Sequence, residues 1–139
     1  PVTNAENLMI FGSTDIAQGV SIVTNGTALT RITLARAGVY NIQFSAQIAK
    51  LNAGNDNCFI YLKKNGVAVA ASAGDTRVAG NGDRIMASWN YVVSAVVPGD
   101  YYELAWASTD VNVILQAVAA AGVVPSIPSI ILTVVPVGA

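Results

Sequence analysis

Histidine is absent from this chain, and cysteine occurs once, at Cys58. The first absence removes Ser/His/Asp and Cys/His arrangements, because both need an imidazole to take the nucleophile's proton. The second removes any intramolecular disulfide, so nothing in the sequence requires or forbids an oxidising compartment. Charge is scarce as well. Charged residues are 11% of the chain, against about 25% in an ordinary soluble domain. Seven basic and eight acidic residues leave a net charge of −1 with no basic patch or arm. That excludes the electrostatic footprint of a nucleic-acid binder, and it leaves little to hold the chain on an anionic membrane.

What is present is apolar. Hydrophobic residues reach 53% of 139, a size that makes one domain, 1–139, with a short N-terminal arm over about residues 1–6. A small domain normally covers its surface with Lys, Glu, Arg and Asp. This one lacks them, so much of its surface is expected to meet other protein, first of all copies of itself. The N-terminus carries no basic leader and no apolar run of signal-peptide length. Its first residue, Pro1, fits removal of an initiator Met. Ala117 to Val137 is a stretch of 21 residues without charge. Pro125, Pro128, Pro136 and the β-branched pairs Ile130-Ile131 and Val134-Val135 argue against a membrane helix there and for a loop followed by a buried strand.

Strand signals run from end to end, and no convincing helix appears. Asn7 to Phe11 reads as a short first strand. Val20 to Val23 and Ala28 to Leu34 flank Asn25-Gly26, a strong hairpin signal; Asn25-Gly26-Thr27 also matches a glycosylation sequon, here read as the turn. From Tyr40 to Ile48, apolar Tyr40, Ile42, Phe44, Ala46 and Ile48 alternate with Asn41, Gln43, Ser45 and Gln47. Cys58 to Lys64 ends at a second hairpin signal, Asn65-Gly66, onto which Val67 to Ala73 can pair back. Met86 to Thr109 reads as two long strands around Pro98-Gly99-Asp100, with Trp89, Tyr91, Tyr102 and Trp106 in period-two register; alternation favours core for them over an exposed sugar-stacking platform. Val111 to Val118 and Ile127 to Val137 follow. The last strand is apolar on both faces, which in a two-layer sandwich requires a neighbour over the outer one. Leu51 to Asn57 and Gly74 to Arg84 read as polar loops. The architecture expected is all-β, a two-sheet jelly-roll sandwich.

Candidate chemistry is thin. Asp75 with Asp83, or Asp100 with Glu103, are the carboxylate pairs that acid/base work would need. Asp100 follows Pro98-Gly99 and is expected to accept backbone hydrogen bonds in that turn, and Glu103 is expected to point outward. The oxygen-rich span from Asp75 through Asn81 to Asp83 has no EF-hand spacing. Cys58 reads as a small buried hydrophobe. The expectation is therefore no enzyme, no catalytic residue, no metal and no cofactor. Partner contacts are expected on loops of a rigid sandwich, at Asn52, Asn55, Asp56, Asp75, Arg77, Asn81 and Asp83.

Ala37-Gly38-Val39-Tyr40-Asn41-Ile42-Gln43-Phe44, Leu62-Lys63-Lys64-Asn65-Gly66, Pro98-Gly99-Asp100-Tyr101-Tyr102-Glu103-Leu104 and Ser129 to Val135 occur in the order of conserved strands in tumour-necrosis-factor-like jelly rolls, and the chain resembles that superfamily, which includes complement-type heads. Within it the wording is most similar to bacteriophage capsid decoration (cement) proteins and fibre head domains. The resemblance implies a homotrimer whose inner sheet, holding the first, Tyr40, Met86 and C-terminal strands, lines the interface. The interface residues it implies are Phe11, Gln43, Ser45, Asn90, Val92, Ile131, Thr133 and Val135. It further implies a structural virion protein at the virion surface, assembled in the host cytoplasm. Its partners would be its own copies and the major capsid protein, without nucleic acid or membrane. A receptor- or glycan-binding fibre head is the alternative, and a secreted complement-head-like ligand a more distant one.

Overall fold

The computed structural model describes residues 3–138 and contains two antiparallel sheets and no helix among them. Sheet A holds β1 (Asn7–Leu8), β2 (Val20–Thr24), β3 (Leu29–Leu34), β5 (Asn55–Lys64), β6 (Val67–Ala68), β7 (Gly74–Ala79) and β9 (Tyr101–Ser108). Sheet B holds β4 (Gly38–Lys50), β8 (Arg84–Ala95), β10 (Val113–Leu115) and β11 (Ile130–Pro136). The core lies between them, where Ile32, Leu34, Ile42, Ile48, Leu62, Leu104 and Val113 are wholly buried.

Three nested strand pairs share nearly one register. Ile32 faces Tyr102, Ile42 faces Tyr91, and Cys58 faces Thr76, so paired residue numbers add to 134, 133 and 134. A single antiparallel ribbon, tipped at Asn65-Gly66, is thus wound so that successive pairs fall in alternate sheets. The tip follows from backbone chemistry. Asn65 and Gly66 have φ of 47° and 84°, the two positive values that a type I′ turn requires.

Several expectations need correction. The first strand joins sheet A, not the sheet of Tyr40 and Met86: Asn7 pairs with Trp106, and Leu8 with Ala105. Met9 N–H then donates to Leu104 O, and Phe11 N–H to Leu29 O, so this segment sits between β3 and β9. Gly74–Ala79 is a strand rather than a loop, because β5 offers it a backbone edge that its polar side chains do not oppose. The loop after β4 is correspondingly shorter, since β5 starts at Asn55. β10 covers only Val113–Leu115, β11 starts at Ile130, and β11 is a half-exposed edge strand rather than a buried one. Glu103 is buried, accepting a 2.5 Å hydrogen bond from Thr30 Oγ1. Of the four aromatics read as core, Tyr102 and Trp106 are buried, Tyr91 is half-buried, and Trp89 is 60% exposed.

Candidate functional site

Alternation along sheet B sorts its side chains. Tyr40, Ile42, Phe44, Ala46 and Ile48 of β4 enter the core, and the residues between them emerge on the outer face. Register then assembles rows across three strands. Val92, Asn41 and Val135 form one; Asn90, Gln43 and Thr133 the next; Ser88, Ser45 and Ile131 the third. Seven of the eight interface candidates therefore share this face: Gln43, Ser45, Asn90, Val92, Ile131, Thr133 and Val135. The eighth, Phe11, does not. It is 7% exposed and packs in the core, because its segment was drawn between β3 and β9.

The face carries no charge between Met86 and Ser94 on β8, on the outer positions of β4 from Val39 to Gln47, or on β11. Arg84 stands at its rim and donates to Gln116 Oε1. Its middle is a shallow depression walled by Gln43, Ser45, Ser88, Asn90, Ile131 and Thr133. Ser45 and Ser88 form its floor, between the row of Asn90, Gln43 and Thr133 and that of Met86 and Gln47. Ile131 is 54% exposed, with Met86 and Val92 more exposed still. Among the described residues, no strand pairs with the outer edge of β8 or of β11. Exposed apolar side chains beside two edges that no strand pairs are the features that soluble monomers avoid.

A second feature lies where β8 and β7 diverge. A cleft of about 410 Å³ is lined by Phe44, Ile60, Gly74, Asp75, Thr76, Tyr91 and the stretch Met86 to Trp89, with the Trp89 ring in its open mouth. Tyr91 closes its inner end, stacked on Phe44 with ring centroids 6.3 Å apart, and donates to Ser72 O at 2.8 Å.

The loop candidates separate into held and free. Lys50 has a fully buried side chain and donates to Asn52 Oδ1 and, at 2.7 Å, to Asp56 Oδ2. Asp56 also accepts from Thr109, and Asn52 donates to Asp110, which caps Asn112. The Lys50 hydrogen bond holds the Asp56 carboxyl below its ordinary range, and the Asn112 backbone N–H does the same for Asp110. Asn52 and Asp56 are therefore parts of an internal clamp, each half-exposed. Asp75 accepts two hydrogen bonds from Asn57 Nδ2. Asn55, Arg77, Asn81 and Asp83 are exposed at one end of the sandwich, Asn55 and Arg77 on strands and Asn81 and Asp83 in the turn before β8.

The remaining chemistry is structural. Asp100 accepts backbone N–H groups of Val96 and Val97, as its turn position implies, and a bond from Asn65. Burial, then the Asp75 charge, pushes the Cys58 thiol up to about 12, so it is protonated at neutral pH. No group of three or more His, Cys, Asp or Glu side chains positioned to hold a metal ion occurs among the described residues. The sequence reading missed the Lys50 clamp, whose members are scattered over sixty residues, and the exposure of Trp89. Compared with protein-family models and with curated protein sequences, the chain finds no match.

Proposed function

We propose that this chain is a structural subunit that associates with its own copies through the outer face of β8, β4 and β11. The observation that carries the reading is that face, uncharged and partly apolar, bordered by two unpaired strand edges. Burying such a surface returns apolar area from water at about 25 cal/mol per Å². The nested ribbon supports a jelly roll, since a ribbon wound with constant register is how that fold is built. The resemblance to tumour-necrosis-factor-like jelly rolls makes the assembly a homotrimer, and the likeness to phage decoration proteins makes it a cement on the capsid surface. A trimer bridging capsid subunits binds only the assembled shell, and so stabilises that shell by mass action.

Ile131→Asp with Thr133→Asp tests the interface. Three copies of each carboxylate would meet in a desolvated centre, and light scattering is expected to read a monomer that stays folded by circular dichroism. An unchanged assembly would refute the face. Electron microscopy of particles carrying the protein tests the location, with density at capsid threefold or quasi-threefold junctions expected and density on tail appendages contrary.

The glycan-binding fibre head has one observation in its favour, the exposed Trp89 ring beside Asp75 and Thr76 in an open cleft. An aromatic face with neighbouring polar groups is the arrangement that stacks on sugar rings. Saturable cell binding abolished by Trp89→Ala, with assembly intact, would establish that reading over the cement.

A further inference from the structure

β10 and β11 lie end to end along one edge of β4 and run in the same direction. Val113 to Leu115 face Lys50 to Ile48, and Ile130 to Pro136 face Ala46 to Tyr40. Between them Gln47 is served twice. Its C=O accepts from Gln116 N–H at 2.9 Å, and its N–H donates to Ser129 O at 2.8 Å. In an uninterrupted antiparallel pair one residue makes both bonds. Paired residue numbers add to 163 along β10 and to 176 along β11, so thirteen residues are looped out of a single edge strand without loss of register.

The looped-out segment forms a hairpin of its own. Val118 and Ile127 exchange both backbone bonds, as do Ala121 and Val124, around Gly122-Val123. Gly122 has φ +61° at the first central position, where a II′ turn takes glycine. The sandwich makes no use of this finger. Val123 at its tip is 101% exposed, and Ala119 to Ser126 are all exposed. A lone two-stranded hairpin is marginal in water, and this one has no charged residue to keep it there.

We propose that the hairpin Ala117 to Pro128 is an assembly arm that lies on a second copy of this chain. The proposal rests on the self-association argued above and extends it to a specific element. Two observations select a second copy as the occupant. The arm's roots, Gln116 and Ser129, flank Gln47 on the face already assigned to self-contact, so arm and face form one continuous surface. No charge occurs anywhere from Val111 to the last residue; around a rotation axis identical residues approach one another, and like charges there would repel. The chain also exposes 7685 Å², whereas a folded monomer of 14.3 kDa exposes about 6,800 Å². The excess of about 900 Å² marks a chain less compact than an ordinary monomer, as a finger standing off the body makes it.

The test uses the full chain, a deletion of Ala117 to Ser129 that lets Gln116 make both bonds to Gln47, and Val123→Asp with Val124→Asp. Sedimentation velocity over a dilution series is the readout, with circular dichroism to establish folding. The arm predicts that the folded variants associate at least about tenfold more weakly than the parent chain. If the deletion does not fold, the aspartate variant decides. A parent that assembles while the aspartate variant matches it would overturn the arm and leave the sheet-face reading standing. A monomeric parent would overturn both.

Discussion

Replacing Lys50 separates two contributions that the structure places on one side chain. Its stem is wholly buried, and its ammonium holds Asn52 and Asp56 at the junction of two loops. Lys50→Met keeps most of the stem volume and removes the charge. Asp56 then retains the Thr109 hydroxyl and its partial contact with water, so the loss is not that of a sealed, unpaired ion. Removing one partner of a sealed ion pair costs about 3–5 kcal/mol; the Thr109 bond and the water contact of Asp56 reduce that, and about 2 kcal/mol is expected. Lys50→Ala also removes three methylenes, each worth about 0.8 kcal/mol, and leaves a cavity. It should cost about 2–3 kcal/mol more than Lys50→Met. Urea unfolding at pH 7 and fixed protein concentration measures both. Equal losses would refute the packing argument, and a Met variant losing more than about 4 kcal/mol would refute the claim that Asp56 can be rehydrated. The pH dependence has a definite sign. Asp56 and Asp110 have folded pKa values below their unfolded ones, so their contribution is full above the ordinary carboxylate range, about pH 4, and is lost as pH falls through the depressed values. Lys50→Met removes the main cause at Asp56, so its melting temperature should fall less steeply below about pH 4 than that of the parent.

Two further outcomes follow from the turns and the core. Gly66→Ala places a side chain at φ +84° and should cost about 1–2 kcal/mol in thermal unfolding, whereas Gly12→Ala, at a position with open space and no positive φ, should cost nothing measurable; equal effects would refute the turn geometry. Cys58, buried with its thiol pushed up to about 12, should react with a disulfide reagent at pH 8 only after denaturant is added, and rapid labelling of the folded chain would show the strand to be open.

The face of sheet B was legible because period-two alternation in β4, β8 and β11 is clean and register preserves it. Asn25-Gly26 and Asn65-Gly66 were legible because their backbone demands are local; Asn25 Oδ1 accepts from Thr27 and Ala28 N–H, and Asn65 takes positive φ. Phe11 was not, since a two-residue strand carries no signal of which sheet it joins, and the gap between β3 and β9 exists only after folding. Gly74–Ala79 hides its pairing because an edge strand with one buried residue, Val78, can be polar elsewhere. Glu103 lies in a strand that alternates in sequence, yet Thr30 of the neighbouring strand β3, 73 residues away in the chain, covers it. The thirteen-residue insertion emerges only from the register on both sides of Gln47, while in the sequence it reads as an uncharged loop.

Molar mass in solution tests the central claim most directly. Multi-angle light scattering at micromolar concentration should give three times 14.3 kDa, about 43 kDa. A mass of 14.3 kDa across that range would contradict self-association through the uncharged face.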